Sequence, residues 1–131
     1  MSIEEIKALW RRFVEELNKG RVLDELLATD FVLHSVNDAD IHGSLKEFFS
    51  DVFNAFPDVH FTIDDMIAEG DKVATRWTMT GTHKATNKTV TVWGIGIVRV
   101  VGGKIAERWL RSDTLGIRQQ LGLIPTSGKE T

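Results

Sequence analysis

Three side chains near the end of the chain have the types and the spacing for proton chemistry. They are Trp109, Arg111 and Asp113, within Lys104-Ile105-Ala106-Glu107-Arg108-Trp109-Leu110-Arg111-Ser112-Asp113. Alternate residues of an extended strand share a face, so a ring, a cation and a carboxylate project together, and the row reads as one wall of a pocket. A carboxylate takes a proton from carbon beside a carbonyl only if its pKa rises toward neutrality from about 3.9. Burial beside Trp109 raises it, and Arg111 pulls the other way. A structural reading competes: Asp113, Ser112 and Thr114 are all of the type that caps a helix, and the helix-like run Thr114 to Leu121 follows. Arg111 is suited to a substrate carboxylate or a developing enolate, and equally to an ion pair with Glu107 on its own strand face.

A second set of candidates lies upstream. His34 ends an apolar run, and an imidazole near 6.5 suits proton transfer or a hydrogen bond to a carbonyl. Trp77 with Met79, and Trp93 with Ile95, are candidates for an apolar lining or for core; Phe53 belongs to the aromatic helix expected opposite them. Arg76, among Ala74, Thr78 and Thr80, reads as a secondary binding candidate, or as part of a solvated sheet face or dimer contact. The four histidines show no H-x-x-x-H pattern, so no metal site is expected, and nothing calls for a cofactor.

The elements that must position these groups fit one domain, residues 1–125, with a polar tail over 126–131. The chain has 131 residues, 42% of them apolar, which suffices for a core without staples. It has no cysteine, hence neither disulfides nor a catalytic thiol. A net charge of -3 argues against nucleic acid as the main partner, because that binding needs a basic surface. No apolar run approaches the roughly 20 residues of a membrane span. The opening Ser2, Glu4 and Glu5 do not resemble a signal peptide, and a cytoplasmic location is expected.

Ile6, Leu9, Trp10, Phe13, Val14 and Leu17 recur at helical spacing, and Ser2 with Glu5 has the form of a capping box, predicting a helix over 3–18. Leu23, Leu26 and Leu27 predict a second short helix, 31–36 a strand, and 37–42 a polar turn. Ser44 with Glu47 predicts a capping box for a helix bearing Leu45, Phe48, Phe49, Val52, Phe53 and Phe56 and stopping before Pro57. Four strand runs follow, 59–69, 72–83, 89–101 and 104–112, separated by the turn pairs Gly70-Asp71, Asn87-Lys88 and Gly102-Gly103. Gly94 and Gly96 inside the third run mark a bend or a close backbone approach. The expected fold is α+β, order ααβαββββ plus a short C-terminal helix, with the helices on one face of a curved antiparallel sheet.

The order of these elements, with Phe56-Pro57-Asp58, Ala68-Glu69-Gly70-Asp71-Lys72-Val73-Ala74, Trp77-Thr78-Met79-Thr80-Gly81-Thr82-His83, Trp109 with Asp113-Thr114-Leu115-Gly116, and Gln120-Leu121-Gly122, resembles the SnoaL-like polyketide cyclase branch of the cone-shaped nuclear transport factor 2-like superfamily. The resemblance implies a sheet bent around a deep cavity. It also implies an aspartate on the last strand, here Asp113, as acid/base for aldol closure without metal or cofactor. Only Lys84 to Lys88 separates His83 from the next strand, a shorter connection than is common in the branch, which implies a trimmed pocket mouth.

The expectation is a cofactor-independent lyase or isomerase for a small hydrophobic carbonyl compound, with Asp113 as acid/base, Arg111 or His34 polarising the carbonyl, and Trp109, Trp93, Trp77, Arg76 and Phe53 around the substrate. Epoxide hydrolysis is the enzymatic alternative, since Arg111 and Asp113 have the spacing of the limonene epoxide hydrolase pair. The steroid isomerase pattern needs a tyrosine, and the chain has none. The other class is a ligand-binding or homodimerisation module, with Arg76, Thr78, Thr80, Arg99 and Arg108 available for an outer sheet face.

Overall fold

A computed structural model describes residues 1–35 and 40–124 of the chain. The tail beyond 124 and residues 37–39 of the turn expected over 37–42 lie outside the described residues. Helix α1 spans Ile3–Leu17 and buries Ile6, Trp10, Phe13, Val14 and Leu17. The Ser2–Glu5 capping box forms: Glu5 N donates to Ser2 Oγ at 3.1 Å and Ser2 N to Glu5 Oε1 at 2.9 Å. At the other end Asn18 ties the helix to the sheet. Its Nδ2 donates to the Phe61 carbonyl at 2.9 Å, and Phe61 N donates to its Oδ1 at 2.7 Å.

The second helix expected from the leucines is a single 3-10 turn, Asp24–Leu26, because Leu27 already begins strand β1, Leu27–His34. A two-residue strand β2, Ile41–His42, pairs with it. Helix α2 covers Lys46–Ala55, but the Ser44–Glu47 box does not form. Asp24 takes its place: Ser44 Oγ donates to Asp24 Oδ2 at 2.5 Å while accepting from Lys46 N at 3.0 Å.

Strands β3 (His60–Glu69), β4 (Lys72–His83), β5 (Lys88–Val101) and β6 (Lys104–Ser112) follow within about a residue of the expected bounds. The chain closes with α3, Thr114–Gln120. Gly102 and Gly103 both have positive φ, 56° and 78°, as a two-residue hairpin turn matched to the strand twist requires. The sheet order is β2-β1-β6-β5-β4-β3, antiparallel except for the β1–β6 pair, which is parallel.

The concave face holds the core. Phe13, Phe31, Leu33, Leu45, Val73, Val98 and Ile105 form the main cluster with α1 and α2, and Phe56, Met79, Val90, Val92 and Leu121 a smaller one beside α3. Each fully buried side chain of this size contributes about 1.5–3 kcal/mol. Strand β5 shows the alternation most plainly. Val90, Val92, Val98 and Val100 are buried, whereas Trp93, Ile95 and Ile97 are 51%, 50% and 40% exposed on the convex face.

One irregularity in β6 decides which side chains face inward. Ile105 pairs with Val100, but Glu107 pairs with Arg99, so Ala106 is an extra residue. Such a bulge shifts the alternation by one position, and a one-residue shift moves every later side chain to the other face. Ile105 is buried, yet Arg108, Leu110 and Ser112 face the concave side after it, not Trp109, Arg111 and Asp113.

Candidate functional site

Between the two core clusters lies a cavity of about 210 Å³. Helix α1 lines it with Trp10, Val14 and Leu17, and α2 with Phe48, Phe49 and Val52. The sheet contributes Phe61, Ile63, Trp77, Met79, Val92 and Leu110, and Phe56 and Ile117 close it on the α3 side. The aromatic packing fixes these walls: Phe49 meets Phe61 edge-on at 6.1 Å and Phe48 at 5.1 Å. Among the described residues the polar lining is Thr62, Ser112 and one charged group, Arg108.

Arg108 is 7% exposed. Its guanidinium lies over the Trp10 ring, 4.5 Å from the ring to Cζ, and takes part in none of the ion pairs among the described residues. Burial pulls its pKa down to about 10, so the group stays protonated at neutral pH. Taking a charge out of water costs several kcal/mol, and contact with an aromatic face returns only about 2. The free protein therefore carries Arg108 at a net cost. Among the described residues Arg108 Nε, Trp77 Nε1 and Thr75 Oγ1 are buried side-chain atoms without a hydrogen-bond partner.

Two glycines make room for these groups. A Cβ at Gly94 would fall within 3 Å of the Trp77 indole and of the Arg111 carbonyl. A Cβ at Gly96 would stand 3.0 Å from the Trp109 carbonyl and 3.4 Å from Arg108 Nε and Nη2. Gly94 and Gly96 thus mark the close approach read from the sequence, and what approaches is the polar part of the cavity wall.

Of the eight residues singled out beforehand, Trp77 lines the cavity. Phe53 packs against the main core cluster without lining it. Asp113 caps α3, its Oδ1 accepting from Gly116 N at 2.8 Å; it follows the lining residue Ser112 but is not itself in the wall. The expected wall of Trp109, Arg111 and Asp113 is corrected by the bulge at Ala106. Arg111 is exposed and donates to the Leu110 carbonyl at 2.9 Å, and Trp109 stacks on His34 with centroids 5.4 Å apart. Trp93 and Arg76 are on the convex face, Arg76 paired with Asp65 at 2.6 Å. Arg108, assigned beforehand to the outer face with Arg76 and Arg99, points the other way.

His34 is held in a convex-face network. Its Nδ1 meets Asp40 Oδ2 at 3.0 Å and its Nε2 meets Glu107 Oε2 at 2.5 Å, while Arg99 Nε donates to Glu107 Oε1 at 3.0 Å. The bond to Glu107, with Asp40 beside it, holds His34 above its ordinary pKa, and the bonds to His34 and Arg99 hold Glu107 below its own. Among the described residues no three His, Asp or Glu side chains are grouped to hold a metal ion, and no helix is long and apolar enough to cross a membrane.

Arg108, Ser112 and the Asn18 anchor escaped sequence reasoning. Only the bulge, visible in hindsight as two consecutive buried positions at Ile105 and Ala106, would have revealed the first two.

Solved structures share this architecture over nearly the whole chain. AclR from Streptomyces galilaeus, a candidate hydroxylase, is 27% identical with a TM-score of 0.88, the match covering 98% of this chain and 87% of that one. IdmH from Streptomyces antibioticus, a candidate polyketide cyclase, is 29% identical with a TM-score of 0.78 over 89% and 98%. A candidate polyketide cyclase from Bacillus cereus is 32% identical with a TM-score of 0.79 over 92% and 82%. No curated protein matches the chain. The bent six-stranded sheet under three helices is the nuclear transport factor 2-like cone. With the SnoaL-like polyketide cyclase family model matching residues 7–121, the chain belongs to that family.

Proposed function

We propose that the protein is a cofactor-independent lyase or isomerase of the aldol-cyclase type, acting on a small hydrophobic carbonyl compound. The observation that carries this reading is the apolar cavity with one buried cation in its wall. A base removes the proton from the carbon beside the carbonyl, and Arg108 holds the negative charge that gathers on the oxygen. The carbanion carbon bonds to a second carbonyl carbon, whose oxygen then takes the proton. A fixed cation in a dry cavity favours the charged intermediate far more than water does. Asp113, which directly follows the lining residue Ser112 and caps α3, is the proposed acid/base. At about 210 Å³ the cavity is below the roughly 300 Å³ where pockets for drug-sized ligands begin, which favours one- or two-ring substrates.

The test is exchange of the α-protons of an aryl ketone in D2O, followed by NMR. Catalysed exchange that falls at least tenfold in Asp113→Asn supports the proposal. An unchanged rate in that variant removes Asp113 as the base, and no exchange above buffer for any aryl ketone removes the reaction.

A binding module without turnover is the second reading, favoured by the engagement of Asp113 as a helix cap. It expects ligand binding with no exchange. In either case a homodimer through the convex face is proposed, because Trp93, Ile95 and Ile97 form an exposed apolar stripe. Sedimentation of Ile95→Asp as a monomer, against a wild-type dimer, supports it; a monomeric wild type removes it.

A further inference from the structure

We propose that the cavity binds its ligand as an anion: a small hydrophobic carboxylate, with its two oxygens between the Arg108 guanidinium and the Trp77 indole N–H. The inference rests on the cavity of the proposed function and adds a charge to the substrate class.

Four observations support it. Arg108 is buried in a wall whose described lining holds no carboxylate and no histidine, so its positive charge has no counter-ion there among the described residues. The unpartnered Arg108 Nε and Trp77 Nε1 are both donors that accept nothing, and a carboxylate is acceptor-only. They stand over Gly96 and Gly94, two residues apart on one face of β5, which is roughly 6–7 Å of strand. The rest of the lining is aromatic and aliphatic, so the body of the ligand is apolar.

A neutral ketone would engage the same donors but leave the buried charge uncompensated. Thr75, whose register partner on β5 is Gly96, adds a hydroxyl next to this pair.

The test uses trans-cinnamate, its methyl ester and its amide as probes, with binding read by calorimetry and by tryptophan fluorescence, since Trp10 and Trp77 line the cavity. Cinnamate is expected to bind at least tenfold tighter than either neutral analogue at pH 7.5. Arg108→Met should abolish that preference while thermal melting shows the variant folded. Trp77→Phe, which keeps the ring and drops the N–H, should weaken cinnamate by about tenfold and the ester much less, as expected for a charge-assisted hydrogen bond. Equal binding of acid, ester and amide overturns the proposal, as does a preference for the acid that survives Arg108→Met, or no binding of cinnamate at all. The catalytic reading fails separately. Exchange on neutral ketones without acid preference removes the anion proposal alone, and acid preference without exchange removes the reaction alone.

Discussion

Each face of the sheet carries a few side chains of the kind usual on the other. The concave face encloses an arginine and, its own Nε included, three unpartnered polar atoms, while the convex face leaves a tryptophan and two isoleucines half in water. Every ion pair found among the described residues is at least partly solvated, including Arg99–Glu107 and Arg76–Asp65 on the convex side. Buried polar groups without partners are costly, and exposed apolar patches are uncommon on monomers, so neither face is explained by stability alone. On the proposed readings each departs from the pattern where the fold has something to bind, a small molecule on one side and a second copy on the other.

The sharpest way to break this contrast is to fill the concave side. Gly94→Ala should cost about 3 kcal/mol, or roughly 10 °C in Tm, because its methyl meets the Trp77 ring and the Arg111 backbone at once. A melting curve that does not move would mean the wall is looser than drawn. Arg108→Met comes next, with the opposite sign. It should raise the stability of the ligand-free protein by about 1–2 kcal/mol in urea unfolding, since an apolar side chain of similar volume carries no desolvation cost. A loss of that size instead would make Arg108 a structural residue.

His34→Gln tests the convex network, with an effect under about 1 kcal/mol because the pair is only partly shielded. His34 is raised in the folded protein, so its contribution is complete below its ordinary 6.5 and disappears as pH rises through the raised value. Glu107 is lowered, so its share is present above its ordinary 4.5 and disappears as pH falls through the lowered value. The variant should lose most between about pH 4.5 and 6.5 and less at pH 9; urea unfolding at pH 5.5 and 9 giving the reverse order would refute the linkage. Smallest of all, Ile95→Thr should change monomer stability by no more than about 0.5 kcal/mol, against the large cost at neighbouring Gly94.

Local signals in the sequence carried most of the fold. The Ser2–Glu5 box and the paired turn glycines each depend on residues close in the chain, and each formed as read. Long-range features did not show. The Ser44 box failed because Asp24, 20 residues away, takes the hydroxyl, and the partner of His34 is 73 residues downstream. For the candidate site, the grouping of Trp109, Arg111 and Asp113 by parity was legible, but not their side of the sheet. Ala106 carries no glycine or proline to announce a bulge, and an arginine at an inward position breaks the rule by which inward positions are found.

The parallel pairing of β1 with β6 has a consequence for how the molecule assembles. Leu33 docks beside Arg108, so the first strand has no neighbour but the two-residue β2 until the last one arrives. Contacts between such distant parts of a chain slow folding, because the intervening loop must be closed before any reward. The antiparallel run β3 to β6 can zip locally from its tight turns. The chamber is complete only when the elements before Pro57 pack against the β3–β6 run, and the contacts that close it span long stretches of chain.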